Sequence, residues 1–376
     1  MRCTGCPLQE PLAAPDAWRS AHRIGTLEAR WFSHIPSPPK EHNVRITLSL
    51  DDVYELAFRA LTGSKTSDTN ARPVADSIRA AEADGFRNGG LGHLPQYCED
   101  ARSGRVDGHA SPTWEKTAHA AILVDANHGF AHAAFAVARQ PLVERTRQTG
   151  IAAMGLRHSY DAAALGYFVE QLARNGLVAL AFANSLSRSI APWGGKTPFF
   201  GTNPMAFAVP RPSGDPMVID QSSSVVARVT VRQHAEENKP LPPGWAFDKD
   251  GQPTTDARAG LAGSMAPFGN YKGAALALMV DILAAGVTGS SFTFQASSSA
   301  NNLGDPPNLG QLLITIDPLA FGGTDFEARL ETLFSAMLTQ EGVRLPGDRR
   351  LAKRLEARNA GVSISDDLHQ RLLDYF

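Results

Sequence analysis

Cysteine is scarce in this 376-residue chain: Cys3, Cys6 and Cys98 are all it has. So few thiols cannot staple a chain of this length, and a large hydrophobic core has to carry the fold. An excess of one charge is missing too. Lys and Arg number 36 against 38 Asp and Glu, a formal net charge of −2 with no basic block, which argues against nucleic acid as a partner. No long apolar run is present. The most apolar stretch, 273–287, is about 15 residues long with Asp281 in its middle, where a bilayer span needs about 20. It is expected to be a buried helix, and no membrane partner is expected. The start of the chain holds charges and prolines in place of the apolar segment of a secretory signal, so a cytoplasmic location is expected.

Several general-purpose motifs are absent as well. No G-x-G-x-x-G links a strand to a helix, and there is no P-loop, H-E-x-x-H or G-x-S-x-G. Cys3-x-x-Cys6 is half of a zinc spacing without a second pair to complete four ligands, so no metal is expected.

What is present is an ordinary globular composition, 43 % hydrophobic and 20 % charged, at a length that suggests about two domains. Residues 1–43 stand apart. Pro7, Pro11, Pro15, Pro36, Pro38 and Pro39 fall there with no apolar periodicity, which predicts a loosely ordered extension. Beyond it, Ser49 with Asp51 and Asp52 marks a helix entry. Val53, Leu56, Ala57, Ala60 and Leu61 share one face, and Gly63 ends the run. A second helix is expected over 72–84. Strands at 120–125, 151–156 and 177–182 alternate with helices at 131–149 and from about 162 to 175, an α/β rhythm. Residues 190–270 are rich in Gly and Pro and predict long ordered loops, a strand follows at 312–316, and two helices close the chain.

Two loops have unusual chemistry. Phe200-Gly201-Thr202-Asn203-Pro204 can bring backbone N–H groups and a hydroxyl to a ligand. Phe268-Gly269-Asn270-Tyr271-Lys272-Gly273 opens the apolar helix, and a helix N-terminus with Gly and Lys suits an anion. Taken singly, each is equally well a plain turn.

Taken together, with VIDQSSSVVAR, LPPGWAFDKDGQPTTD, GQLLITIDP and RLPGDRR, they give a chain that resembles the malate/L-lactate/sulfolactate dehydrogenase-like NAD(P)H oxidoreductases from about Ile46 onward. The ending is most similar to the Δ1-piperideine-2-carboxylate and Δ1-pyrroline-2-carboxylate reductase branch. The resemblance implies an α/β fold with a non-Rossmann NAD(P)-binding domain. Its boundaries are expected at 1–43 for the extension, 44–119 plus 310–376 for a helical substrate and dimerisation domain, and 120–309 for the cofactor domain. It implies a homodimer, NADPH or NADH as cofactor, and a small-molecule substrate. Cofactor contacts would come from Ser159, Asp161, Ala162, Ala163, Asp220, Gln221, Ser222, Lys272 and Gly273, and substrate contacts from Asn88 and Thr202.

Three positions depart from the family pattern. In Asp84-Gly85-Phe86-Arg87-Asn88-Gly89-Gly90-Leu91-Gly92-His93, Gly89 stands where the resemblance places the proton-donating His. His93 stands where it places the Arg that grips the substrate carboxylate, which makes His93 the catalytic candidate. Asp161 replaces a His in the cofactor loop, where it would repel a phosphate or accept from ribose hydroxyls. Thr230 replaces an acid of the catalytic relay. Water, His93 or Tyr160 is then the expected proton source. The function implied is NAD(P)H-dependent reduction of a small cyclic imine carboxylate or 2-oxo acid. The alternative is a repurposed member that has lost hydride transfer, either a non-redox enzyme of specialised metabolism or a ligand-binding pseudoenzyme.

Overall fold

Ser49 opens the first helix as its sequence demands. Its hydroxyl accepts from the Asp52 backbone N–H while the Asp52 carboxylate takes the Ser49 N–H, a reciprocal cap. In this computed structural model, residues 44–212, 214–297 and 304–376 are described; the Pro-rich stretch 1–43, with Cys3 and Cys6, lies outside them. Strand β1 (Arg45–Leu48) precedes α1 (Leu50–Thr62), followed by α2 (Asp68–Ala83) and α3 (Leu94–Ser103). Helix α2 starts one turn before the expected 72 because Ser67 caps it.

A long sheet follows. Its strands are β2 (Thr113–Ala118), β3 (Ala121–Asp125), β4 (Ile151–Ser159), β5 (Val178–Ala183), β6 (Met205–Val209), β7 (Met217–Gln221) and β11 (Leu309–Ile316). They lie in the order β2-β3-β4-β11-β5-β6-β7, antiparallel except for β3 beside β4. Helices α4 (Ala131–Thr149) and α5 (Leu165–Ala173) pack on it through Phe135, Leu142, Phe168 and Leu172. Strand β4 runs three residues past the expected 156. Arg157 and His158 look like loop by polarity, but both side chains reach Asp125 at the end of β3. Strands β2 and β11 belong to this sheet, so the expected boundary at 119 separates β2 from its paired neighbour β3, and the one at 310 falls inside β11. Sequence order hid this, because β11 enters the middle of the sheet from far along the chain.

The stretch after β7 holds α6 (Arg228–Glu236), a helix not expected from the sequence, then β8 (Ala246–Phe247), β9 (Pro253–Thr254), α7 (Ala257–Ala262) and β10 (Ser264–Met265). The three short strands form a small sheet of their own. Helix α8 (Tyr271–Asp281) continues into one π-type turn over Ile282–Gly286. This is the apolar run expected to be buried, and only one flank is. Leu276, Val280 and Leu283 pack against Phe182 and Leu312, while Leu278, Met279, Ile282 and Val287 face solvent. Asp281 inside the run is 2 % exposed, and its carboxylate accepts from the Thr293 backbone N–H and hydroxyl.

The chain closes with three helices in place of two: α9 (Phe326–Leu338), α10 (Asp348–Ala360) and, after β12 (Val362–Ser365), α11 (Asp366–Leu373). Strand β12 pairs antiparallel with β1, bringing both ends of the described chain into the helical layer around Val53, Leu56, Ile78 and Leu372. Among the described residues no helix is long and apolar enough to cross a membrane.

Candidate active site

One edge of the large sheet gathers the chemistry. Across the registers, Ser159 at the end of β4 faces Leu309. Gln311 faces Ala183, Phe182 faces Met205, and Met205 faces Gln221. Loops leaving this row therefore share one rim. Most non-glycine residues with positive φ lie in these loops: Asn127, His128, His158, Ala163, Asn203, Asn270 and Asn308. Such backbone costs about 1–3 kcal/mol each for a residue with a side chain, and it concentrates where geometry is over-determined.

On the rim's right half, Thr202 and Ser223 are joined by the Ser223 N–H to the Thr202 carbonyl at 2.7 Å, and Phe268 N–H donates to the Ser223 carbonyl at 3.0 Å. Gly273 sits under this junction. A Cβ there would overlap the Phe268 backbone and lie 2.8 Å from the Ser223 carbonyl oxygen, so Gly273 serves this close approach. Lys272 is exposed at the α8 N-terminus beside Asn270 and Gly269, both at positive φ, an arrangement that favours an anion. Asn203 is buried and ties the Thr202 loop to α8 through the Ala277 carbonyl, 2.8 Å away. Ser222 bonds Ser224, and Gln221 is exposed beside it.

Asp220 ends β7 under the start of α5, where its Oδ2 accepts the Gly166 N–H at 2.7 Å. Burial pushes its carboxyl up to about 6, against the opposing Gly166 N–H and the Arg350 charge, although one side of it remains open to solvent. The residues of this half fit a dinucleotide: a helix N-terminus with a free-standing Lys for phosphate, and hydroxyls and an acid along one rim for ribose.

The left half departs from expectation. Ser159 is buried, and its hydroxyl is spent on the Leu309 carbonyl at 3.1 Å, so only its backbone could meet a ligand. Ala162 is buried in the sheet core, and Ala163 turns at φ 49 so that its N–H points to the Asp161 carboxylate. Asp161 turns toward His93. Its Oδ2 lies 3.2 Å from His93 Nε2, with the two side chains 25 % and 19 % exposed. Burial works to raise the Asp161 carboxyl, but the His93 contact and charge, with His132 nearby, hold it below the usual carboxylate range.

His93 is placed by local structure. It is the N-cap of α3 but makes no side-chain cap bond, which leaves the imidazole available. Tyr97, one turn on, meets its ring edge-on at 4.5 Å and is itself wedged between Phe130, His132 and Tyr160. Burial pushes His132 down to about 4, so it is neutral at physiological pH. Tyr160 is excluded as a proton source. Its hydroxyl donates to the buried Asp100 carboxylate inside the core, and burial with the Asp100 charge raises it well above the tyrosine range.

Gly89 lies in a 3-10 turn (Arg87–Gly89) with Asn88 exposed beside it. A Cβ on Gly89 would overlap the ring of Phe86, so this aromatic side chain stands where a side chain at 89 would begin. Below the turn, Glu82 is buried, and its Oε1 accepts the Leu91 N–H at 2.7 Å.

An ion cluster joins the two sides of this half. Arg354 pairs with Asp84 at 2.7 Å and with Glu170 at 2.7 Å, and Arg350 contacts both carboxylates. Asp84 sits just before the Phe86–His93 loop, and Glu170 sits on α5, just after the Asp161 loop. Sequence reading missed Phe86, Tyr97, His132, Glu170 and Arg354. RLPGDRR was visible as a signature, but its role as a tie between the loops comes from the fold.

The family model described as malate/L-lactate dehydrogenase matches residues 48–373. The chain belongs to the malate/L-lactate dehydrogenase family. Within that family, it is 47 % identical to (2R)-3-sulfolactate dehydrogenase (NADP(+)) of Chromohalobacter salexigens over 82 % of this chain and 92 % of the relative. It is 40 % identical to Delta(1)-pyrroline-2-carboxylate reductase 2 of Burkholderia multivorans, covering 87 % and 97 %. Among solved structures, the delta1-piperideine-2-carboxylate reductase of Pseudomonas syringae matches with a TM-score of 0.83 at 39 % identity, over 88 % of this chain and all of that one. The family fold is thus the expected non-Rossmann α/β type.

Proposed function

We propose that this protein reduces a small cyclic imine carboxylate or a 2-oxo acid with NADPH. The observation that carries the reading is the single rim holding the Lys272 helix terminus, Asp220, Thr202 and the His93–Asp161 pair, in a chain that matches named reductases and dehydrogenases over more than four-fifths of its length. NADPH, when bound, supplies the hydride. Lys272 and the α8 N-terminus would hold phosphate, Asp220 and Ser222 the ribose side, and Thr202 with Asn88 the substrate. Ser159, Ala162 and Ala163 contribute through backbone, and Gly273 by permitting the close approach beneath Lys272. The buried Cys98 thiol and near-neutral charge fit a cytoplasmic enzyme.

Nucleotide binding is the first test. Trp193 is 63 % exposed, and its ring meets Tyr271, the neighbour of Lys272, at 6.2 Å, so its fluorescence reports on this terminus. NADPH is expected to quench it saturably at micromolar concentration, and NADH more weakly. Turnover is then measured with Δ1-piperideine-2-carboxylate, Δ1-pyrroline-2-carboxylate, pyruvate and 3-sulfopyruvate. If neither nucleotide binds at millimolar concentration, the reductase reading is wrong and the binding-only alternative stands.

The second proposal is a homodimer built on the bare flank of α8. Leu278, Met279, Ile282 and Val287 form a run of apolar side chains 42–61 % exposed, the kind of patch that a second protein surface usually covers. The wild-type chain should sediment as a dimer, and Leu278→Glu with Ile282→Glu as a monomer. A monomeric wild type rejects the proposal.

A further inference from the structure

Resting on the reductase reading, we infer that His93 and Asp161 form the proton-delivering pair of this enzyme, a replacement for the donor lost at Gly89, with Asp161 as positioning residue and no part in holding the cofactor. Four observations support it. The two side chains meet at 3.2 Å across loops that are 68 residues apart in sequence and are brought together by the fold. His93 makes no cap bond, and the Asp161 carboxylate takes the Ala163 N–H besides its contact with His93. Both keep a partial opening to solvent, unlike the sealed Tyr160–Asp100 pair next to them. Finally, the Phe86 ring fills the space at 89, so no imidazole could act from the family position without moving it.

The chemistry follows from which nitrogen is engaged. With Nε2 turned to the carboxylate, Nδ1 is the ring nitrogen left for a ligand. Asp161 orients the ring through this contact, as carboxylate partners of catalytic His residues do. During reduction, hydride adds to the imine carbon and the C=N π pair moves to nitrogen. That nitrogen takes the proton from His93 Nδ1, a new C–H and a new N–H form, and the imidazolium becomes neutral imidazole. For a 2-oxo acid the same proton goes to the carbonyl oxygen. The groups facing the ring are Asp161 from the β4–α5 loop, His132 from α4, Tyr97 from its own helix and Tyr160. His132 is neutral and both tyrosines keep their protons near neutral pH, so of these four groups Asp161 is the charged one.

The test uses the full chain with His93→Gln and Asp161→Asn, each checked for an unchanged melting temperature and NADPH affinity. With Δ1-piperideine-2-carboxylate, His93→Gln should lower kcat by about 10²–10⁴-fold and abolish the alkaline limb of the rate profile. Asp161→Asn should lower kcat by about tenfold or more at unchanged NADPH affinity, because the imidazole loses the contact that orients it. A kcat within threefold of wild type in His93→Gln overturns the inference. So does an Asp161→Asn variant that alters NADPH affinity and leaves kcat in place, which would return Asp161 to the cofactor. Imidazole ¹⁵N shifts decide the pairing without turnover. His93 should carry its neutral-state proton on Nε2 in the wild type and lose that preference in Asp161→Asn; a Nδ1–H tautomer in the wild type sinks the pair. Failure of NADPH to bind the wild type is a separate result and overturns the reductase reading itself.

Discussion

Glu170→Ala is expected to destabilise the fold by about 3–5 kcal/mol and to lower Tm by about 5–10 °C, among the largest effects any single substitution on this chain should produce. The reason is what it leaves behind. Glu170 accepts from Arg354 at 2.7 and 3.1 Å and from Arg174 at 2.7 Å, and it contacts Arg350, with its own side chain 9 % exposed. Without it, Arg350 and Arg354 share Asp84 alone in a buried position. Removing one partner of such a cluster costs far more than the pair contributes net, because the remaining charges stay desolvated. Burial opposes ionisation of Glu170, but the Arg354 bonds and the Arg350 charge prevail and hold it down at about 2. Asp84 touches the same two arginines and is pushed the other way, since its burial and the Glu170 charge outweigh them.

The pH dependence has a definite sign. A carboxylate with a folded value below its ordinary 4.5 contributes stability in full above about 4.5 and loses it as the pH falls toward 2. At about 1.4 kcal/mol per pH unit, that window is worth roughly 3 kcal/mol. Urea melts at pH 7, 5 and 3 should show wild type and Glu170→Ala converging as acid is added. Glu170→Ala within 1 kcal/mol of wild type at pH 7 would show that the cluster is not holding the two loops.

The second large effect concerns Gly89. Gly89→His alone should yield a less stable and less active protein, because the new Cβ collides with the Phe86 ring. Phe86 is 44 % exposed and can be cut back without opening the core. The triple variant Phe86→Ala, Gly89→His, His93→Arg rebuilds the pattern that the family resemblance implies, an imidazole at 89 and a guanidinium at 93 facing Asp161. Its kcat on Δ1-piperideine-2-carboxylate should exceed that of Phe86→Ala with His93→Arg by about 10²–10⁴-fold, the usual worth of a general acid. Equal rates in the two variants would mean that the pocket no longer presents substrate to position 89.

Much of this was legible in the sequence. Ser49 and its apolar face, the 131–149 helix and the signature loops announce themselves through local rules, and the structure places them as expected. The departures at 89, 93 and 161 were visible one at a time. Their combination was not, because no periodicity relates His93 to Asp161; the contact exists only after α3 and the β4–α5 loop are packed against Tyr97 and Tyr160. Asp161 in the expected cofactor loop suggested phosphate or ribose, and its carboxylate lies against His93. The apolar run at 273–287 misled for a different reason. Hydrophobicity all round a helix predicts burial all round, whereas only the flank of Leu276, Val280 and Leu283 meets the sheet.

The pairing of β1 with β12 bears on the birth of the molecule. Arg45 binds Ser363 through its guanidinium across 318 residues of sequence, and the strand at the heart of the large sheet, β11, is also among the last to be made. At about 5–20 residues per second of synthesis, the opening strand and helix leave the ribosome roughly 15–60 s before the segments that cover them. For that interval Val53, Leu56 and Leu61 have no partner from the far end of the chain, and β4 and β5 are separated by an empty lane. The large sheet therefore cannot close before β11 has been made, nor the β1–β12 pair before the segment through Ser365.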